Sequence, residues 1–262
     1  MTNIESIQLK NAVLLTAGLG ARLKPYTNTI PKCLVEVEGN TLLGRLLDTL
    51  EMYHYKKVII VTGYQASQIQ SYLQSYPTSL EFEFVHNKNY DTTNNIYSLW
   101  LAREKISENF SLIEADLIFD PVILEKLSTP NRIALSEYNE NIHNGTTAVV
   151  SDGGFLKDLF INQSPPSVEK LYKTVNMYTF CFDTWKKIET EIGELIEQGY
   201  LHIFYEMAIR DLVKKGKIAL EIADFSGVWW DEIDTPEDLE RVCLKLTESG
   251  NGNLLNRIQK IK

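Results

Sequence analysis

The sequence has little of the material from which several common protein classes are built. Its 262 residues include three cysteines, Cys33, Cys181 and Cys243, scattered without the spacing of a metal site. They read as three reduced thiols in a cytoplasmic protein. Long hydrophobic runs are missing: the run at residues 58–61 is far too short to cross a bilayer. The opening residues contain no apolar stretch of the secretory kind. The expected location is the cytoplasm, with no membrane insertion. Positive charge is in deficit, 26 Lys and Arg against 35 Asp and Glu, which argues against nucleic acid as a partner. A small anionic substrate stays open, because a few lysines and a divalent cation can reverse the sign of one cleft. The four histidines, His54, His86, His143 and His202, pair with no nucleophile, and no Ser-His-Asp or Cys-His set can be read.

What is present is an ordinary globular composition, 44% apolar and 23% charged, in a chain long enough for one α/β domain with at most a small appendage. Short apolar runs at 12–15, 58–62, 81–85 and 110–115 read as strands. Helical spacing falls between them at 42–53, where Leu42, Leu46, Leu50 and Tyr53 share a face, and at 67–75 and 95–103. This β-α-β-α-β-α-β order predicts a parallel sheet with helices on both faces. Strands at 133–138, 146–150, 155–161 and 175–182, parted by the turn residues Asn144-Gly145 and Asp152-Gly153-Gly154, are expected to make the sheet mixed. They form a small antiparallel extension that walls a pocket. Helices are expected at 184–197 and 203–215 and strands at 218–223 and 228–233. A last helix opens with Thr235 as N-cap, Pro236, Glu237 and Asp238. The expected division is an extension at 1–10, one domain at 11–247 and an Asn/Gly-rich tail at 248–262.

The loop after the first strand carries Gly18 and Gly20, then Arg22, Lys24 and, after Pro31, Lys32. Glycine lets backbone approach a ligand, and successive N–H groups there form an anion-binding concavity. A triphosphate carries about four negative charges and needs such donors backed by cations. Leu23 stands where a dinucleotide fingerprint needs its third glycine, and a Gly-Lys-Ser/Thr loop is absent, so both of those motifs are disfavoured. Asp116 ends a strand on the edge where open α/β sheets bind ligands. Glu232 and Asp234, two apart, share a strand face. Carboxylates so placed suit Mg2+, a hard cation that takes oxygen ligands. Glu114 is expected on the opposite strand face or behind the ligands, and Asp120 as a cap for a helix at Pro121.

The string Ala17-Gly18-Leu19-Gly20-Ala21-Arg22-Leu23, with Pro25, Thr27, Pro31-Lys32 and residues 35–37, resembles the signature loop of sugar-nucleotide and amino-alcohol nucleotidyltransferases. The resemblance implies their Rossmann-like GT-A nucleotidyltransferase fold. It implies that backbone from Ala17 to Gly20 holds base and phosphates, and that Arg22 and Lys32 contact the triphosphate and the attacking phosphate. It places Mg2+ on Asp116 and Asp234, with Glu232 beside them. The implied reaction is in-line attack by a phosphate or phosphonate oxygen on the α-phosphorus of CTP. Arg22, Lys32 and Asp116 are its candidate catalytic residues. Thr16, Ala17, Gly18, Leu19, Gly20, Gly63, Tyr64, Asn94 and Ser98 are the candidate nucleotide contacts.

Two further strings bear on the acceptor. Asn94-Asn95-Ile96-Tyr97-Ser98-Leu99 resembles bacterial phosphocholine cytidylyltransferases, and Tyr172-Lys173-Thr174-Val175-Asn176-Met177-Tyr178 resembles phosphonate cytidylyltransferases that use 2-aminoethylphosphonate. A cationic head group needs aromatic faces or a carboxylate, for which Tyr97, Trp100, Phe204, Tyr205, Glu206, Trp229 and Trp230 are available. The acceptor set so implied is Asn95, Lys173, Asn176, Tyr205, Glu206 and Trp230. The expected partners are CTP and a small phosphorylated or phosphonate amine, and a homodimer stays open. Two alternatives remain: a sugar-1-phosphate nucleotidyltransferase using UTP, GTP or dTTP, and an inactive nucleotide-binding paralogue that regulates a partner.

Overall fold

Four apolar runs become the parallel part of one large sheet. In a computed structural model, residues 9–140, 142–161, 163 and 170–248 are described. The expected extension, apart from Leu9 and Lys10, and the tail beyond Glu248 lie outside the described residues.

The chain opens with strand β1 (Asn11–Thr16), a two-strand hairpin of β2 (Glu36–Val37) and β3 (Asn40–Thr41), and helix α1 (Leu42–Met52). Then follow β4 (Lys57–Thr62), α2 (Ala66–Ser75), β5 (Glu81–His86), α3 (Asn95–Ala102) and β6 (Phe110–Glu114). Strands β5, β4, β1 and β6 lie side by side and parallel, as the alternation of strands and helices requires. Period-2 alternation divides their side chains between two cores. Val13, Ile59 and Val61 point to one face, Ala12, Leu14, Val58 and Ile60 to the other.

The second half adds β7 (Leu117–Phe119), α4 (Ile123–Lys126), β8 (Arg132–Glu137), β9 (Thr147–Val150), β10 (Leu156–Phe160) and β11 (Tyr172–Phe180). It closes with α5 (Phe182–Glu197), α6 (Glu206–Lys214), β12 (Glu221–Asp224), β13 (Trp230–Glu232) and α7 (Pro236–Glu248). Strand β11 runs antiparallel to β6 and makes the sheet mixed. Its first residues pair with β8 and β9, its last with β8 and β6. Between Thr174 and Tyr178 the pairing with β8 shifts register, and Asn176 there has φ 55°. Such a bulge re-aims a side chain, and asparagine tolerates the left-handed region better than most residues.

Helices α3, α5 and α6 cover one face and α1, α2 and α4 the other. A third cluster packs α7, through Leu239, Val242 and Leu246, against Val35, Val37, Ile118 and Ile233. The start of α7 is a reciprocal cap: Thr235 Oγ1 accepts from the Asp238 N–H, and the Asp238 carboxylate accepts from the N–H of Asp234 and Thr235. Asp120 likewise accepts from the Val122 N–H at the approach to α4. Among the described residues, no helix is long and apolar enough to cross a membrane.

Several boundaries differ from the sequence reading. Strand β11 begins at Tyr172 rather than 175, because Lys173 and Thr174 are polar yet fully inside the sheet. Helix α6 begins at Glu206 rather than 203, the preceding residues being drawn toward α3 by the Leu201 carbonyl, which accepts from the Asn94 N–H. Strand β12 starts at Glu221 rather than 218. Strand β7 was not anticipated; it pairs with β13 in a separate two-strand sheet.

Trp185 of α5 is wholly buried, with its ring edge-on to Phe110 at 5.3 Å between centroids. Trp185→Ala is expected to cost about 3–5 kcal/mol of stability, read as a lowered urea midpoint with unchanged slope.

Candidate active site

The carboxyl ends of β1 and β6 open onto a cleft of ≈ 580 Å³. Its walls come from the loop after β1, the start of α3, the turn after β6, residues 144–146, β11, the start of α6 and the segment from β13 to α7. Gly20 shapes the loop. It has φ 60°, and a Cβ there would stand 3.0 Å from Thr27 Cγ2 and 3.1 Å from Lys32 Cβ. Its carbonyl accepts from the Leu23 N–H and the Thr27 hydroxyl, which turns the chain back so that Arg22 and Lys32 both face the cleft. Gly63 abuts the loop from β4: a Cβ on it would lie 2.6 Å from the Ala17 carbonyl oxygen. The Tyr64 N–H donates to that same oxygen, and the Tyr64 hydroxyl to the carbonyls of Thr27 and Asn28.

Opposite the loop lie the carboxylates. Lys32 Nζ is 2.7 Å from Asp116 Oδ2 and 2.6 Å from Asp234 Oδ1. Arg22 Nη2, on a side chain 64% exposed, reaches Asp234 Oδ2 at 2.9 Å. Burial alone would make the Lys32 ammonium easier to deprotonate, but the two aspartates outweigh it and hold it well above the ordinary lysine range. Burial opposes ionisation of Asp234 as well, and Lys32 and Arg22 outweigh it in turn, so that this carboxyl sits below its usual range. Oxygen atoms of Asp116, Glu232 and Asp234 all lie within 4.8 Å of one another. The donors are oxygen only, and Asp116 Oδ1 is buried with no partner in the protein. That set fits a hard divalent cation.

The floor is more deeply buried. Lys173, 3% exposed, donates to the Thr174 carbonyl at 2.7 Å and lies 3.7 Å from Glu232 Oε2. Glu206, also 3% exposed, lines the cleft with Oε2 unpartnered. Burial pushes the Glu206 carboxyl up to about 7, against the pull of its own backbone amide, Lys173 and Asn95. Burial likewise lifts Glu232 to about 7, opposed by Lys173 and Lys32. Glu114 is not on the opposite strand face. It lines the cleft behind Asp116 and accepts from Asn95 Nδ2 at 3.2 Å and the Tyr205 hydroxyl at 3.1 Å. Burial, with Asp116, Glu206 and Glu232 nearby, raises its pKa well above the ordinary value. Asn176 also faces the cleft and accepts from the Thr174 hydroxyl.

Thr16, Ala17, Gly18, Gly20, Arg22, Lys32, Asn94, Asn95, Ser98, Asp116, Lys173, Asn176, Glu206, Glu232 and Asp234 are thus brought to one cleft. Phe204, one of the candidate aromatics, lines the cleft as well, and the other candidates lie outside its walls. Leu19 is 40% exposed and is not part of the cleft walls, while Gly63 and Tyr64 brace the loop from behind. Tyr205 is wholly buried beneath the floor, where its N–H donates to Asn95 Oδ1. Trp230 stacks on His143 outside the walls, with centroids 5.6 Å apart. Trp100 packs against Gly193, and Trp229 lies under Lys245. Tyr90, Thr93, Asn144, Gly145 and Thr146 line the cleft without having been singled out as ligands. Asn144-Gly145 was legible as a turn, and Tyr90 and Thr93 stand four and one residues before Asn94.

A family profile described as a MobA-like NTP transferase domain matches residues 12–155, more than half of the chain. The chain belongs to that family. By family it is a nucleotidyltransferase, with the fold that this membership entails. A CMP-5'-(3-aminopropyl)phosphonate synthase of Streptomyces rubellomurinus is 30% identical over 237 residues, 87% of this chain and 37% of that protein. A bifunctional IPC transferase and DIPP synthase of Aquifex aeolicus is 28% identical over 236 residues, 89% of this chain and 51% of that protein. The chain therefore spans about half or less of these two relatives. A choline-phosphate cytidylyltransferase of Streptococcus pneumoniae is 24% identical over 232 residues, 88% of this chain and 96% of that protein. The solved CTP:phosphocholine cytidylyltransferase from the same species shares the fold, with a TM-score of 0.79 over 92% of this chain and 100% of that one.

The depressed Asp234 carboxyl gives a stability effect of definite sign. Its contribution is present above the unfolded-state value of about 3.9 and is lost as pH falls further toward the folded-state value. The stability advantage of the wild type over Asp234→Asn is therefore expected to shrink as denaturation is followed below about pH 4. A difference that stays constant down to about pH 2 would contradict the ion-pair account.

Proposed function

We propose that this domain transfers a cytidylyl group from CTP to a small acceptor with a phosphonate or phosphate at one end and an amine at the other. The observation that carries this reading is the order of charges along one cleft. Arg22 and Lys32 stand at the glycine loop, an all-oxygen carboxylate set lies opposite, and Lys173 and Glu206 are buried at the floor. The names of the aminopropylphosphonate synthase and the choline-phosphate cytidylyltransferase support the choice of nucleotide and acceptor class.

In this reading the backbone from Ala17 to Gly20, with Thr16, Asn94 and Ser98, receives the nucleotide, and Arg22 and Lys32 neutralise its phosphates. Leu19, Gly63 and Tyr64 shape the loop rather than touch the ligand. Asp116, Glu232 and Asp234 would hold Mg2+, which supplies further neutralisation of phosphate charge when bound. An acceptor oxygen forms the new bond to the α-phosphorus while the bond to the bridging oxygen breaks, and pyrophosphate leaves with that electron pair. The attacking oxygen is already anionic, so no side chain has to remove a proton. Catalysis is positioning and charge neutralisation. Lys173 and Asn176 hold the phosphonate or phosphate of the acceptor, and Glu206 and Asn95 receive its ammonium. Tyr205 is a positioning residue that acts through Asn95 and Glu114. Trp230 has no part in this reading.

Pyrophosphate release from each of CTP, UTP, GTP and dTTP is to be measured with 2-aminoethylphosphonate, phosphocholine, phosphoethanolamine and hexose 1-phosphates. Turnover is expected with CTP and an amine-bearing acceptor. Turnover confined to a hexose 1-phosphate would overturn the reading.

The state of Glu206 makes a second expectation. With its carboxyl lifted to about 7, it is neutral on the acid side and ionised above, so an ammonium is held better as pH rises. The KM for an amine acceptor should fall between about pH 6 and about pH 8 beyond any change due to the acceptor's own ionisation. Glu206→Gln should raise that KM by about 10- to 100-fold and flatten its fall with pH. Equal KM profiles for the two proteins would remove Glu206 from the acceptor site.

A further inference from the structure

The Lys32 ammonium stands where the carboxylates would meet a metal ion. Its Nζ touches an oxygen of Asp116 at 2.7 Å and one of Asp234 at 2.6 Å. The second oxygen of Asp234 is taken by Arg22 at 2.9 Å, and Glu232 has Lys173 at 3.7 Å. Three basic side chains thus face the three carboxylates whose oxygens lie within 4.8 Å of one another. Among the oxygens of these three carboxylates, Asp116 Oδ1 is buried and unpartnered. A divalent cation entering this arrangement would add two charges beside ammonium and guanidinium groups already in contact with its ligands. Like charges at such separations repel strongly in a partly desolvated cleft.

We propose that Lys32 is an internal counter-ion that closes the carboxylate set to divalent cations until a triphosphate arrives, so that metal and nucleotide bind as a coupled pair. The inference rests on reading the cleft as a triphosphate site. A bound triphosphate offers Lys32 and Arg22 new anionic partners, and their transfer to it uncovers Asp116 and Asp234. The path is short. The Lys32 stem packs directly under the phosphate loop, its Cβ 3.1 Å from where a Gly20 Cβ would stand. Its backbone is fixed in a turn, with the carbonyl accepting from the Val35 N–H at 3.0 Å. Side-chain torsions alone can move the ammonium from the carboxylates toward the loop. By linkage, whatever factor the nucleotide adds to metal affinity, the metal adds to nucleotide affinity.

The test is a titration of the free protein with Mn2+ alone, without nucleotide or acceptor, followed by electron paramagnetic resonance of the unbound ion. Lys32→Met is expected to bind Mn2+ about tenfold tighter than the wild type, or more, and Lys32→Arg to bind as weakly as the wild type. Lys32→Gln is read in the same way as Lys32→Met and covers the case in which the methionine variant does not fold. Folding of each variant is checked by circular dichroism. Equal Mn2+ affinity in the wild type and the folded uncharged variant would overturn the proposal. The titration contains no CTP, so the two readings fail separately. Unchanged Mn2+ affinity beside successful pyrophosphate release overturns the counter-ion alone. Tightened Mn2+ binding beside a failed screen overturns the transferase reading and leaves the counter-ion supported.

Discussion

The contact of one lysine with two aspartates joins three distant parts of the chain. Lys32 follows the loop from β1, Asp116 follows β6 and Asp234 precedes α7. Each is held by a different piece of the fold. The parallel pairing of β1 with β6 aligns the first two, because Leu15 stands opposite Glu114 in register. The third depends on the small sheet of β13 and β7 and on the cap at Thr235 and Asp238. Remove the sheet register or the cap, and the charges no longer meet.

Such a concentration of charge is a poor source of stability. Carboxylates and ammonium groups lose hydration when buried, and their mutual attraction repays the loss only with good geometry. The raised pKa values of Glu114, Glu206 and Glu232 mark where repayment is incomplete. The cost is offset by three apolar clusters around the cleft, two on the sheet faces and one under α7. The cleft is therefore closely packed around its base while three of its carboxyl groups are incompletely compensated.

Much of this was legible in the residues, and the limits have physical causes. The parallel strands and their helices follow from short apolar runs and helical spacing, both of which are local signals. Gly18, Gly20, Arg22 and Lys32 stand close together in sequence, so their meeting at one cleft could be anticipated without coordinates. Asp234 was marked by position at a strand end and before a Thr-Pro cap, but its distance to Asp116 is a property of topology alone. Tyr205 could not be told from a rim aromatic, because its burial is decided by Asn95 and Glu114, far away in sequence. Strand β11 starts too late in the reading because Lys173 and Thr174 are polar, and polar residues are scarce in a buried strand unless a cleft needs them. Glu114 shows the converse: placed two before Asp116, it shares that residue's side of the chain although the strand ends between them.

The bulge in β11 divides labour within a single strand. Before Asn176 the strand pairs with β8 and β9 and carries Lys173 into the floor; after it, the strand pairs with β6 and, in a shifted register, again with β8. The left-handed residue stands as a joint between the parallel core and the outer wall of the cleft. Replacement of the outer wall, the 144–146 turn or the start of α6 can alter the shape of the floor without disturbing the register that aligns Lys32 and Asp116. A scaffold jointed in this way can vary one wall of its cleft while its glycine loop and carboxylates keep their places.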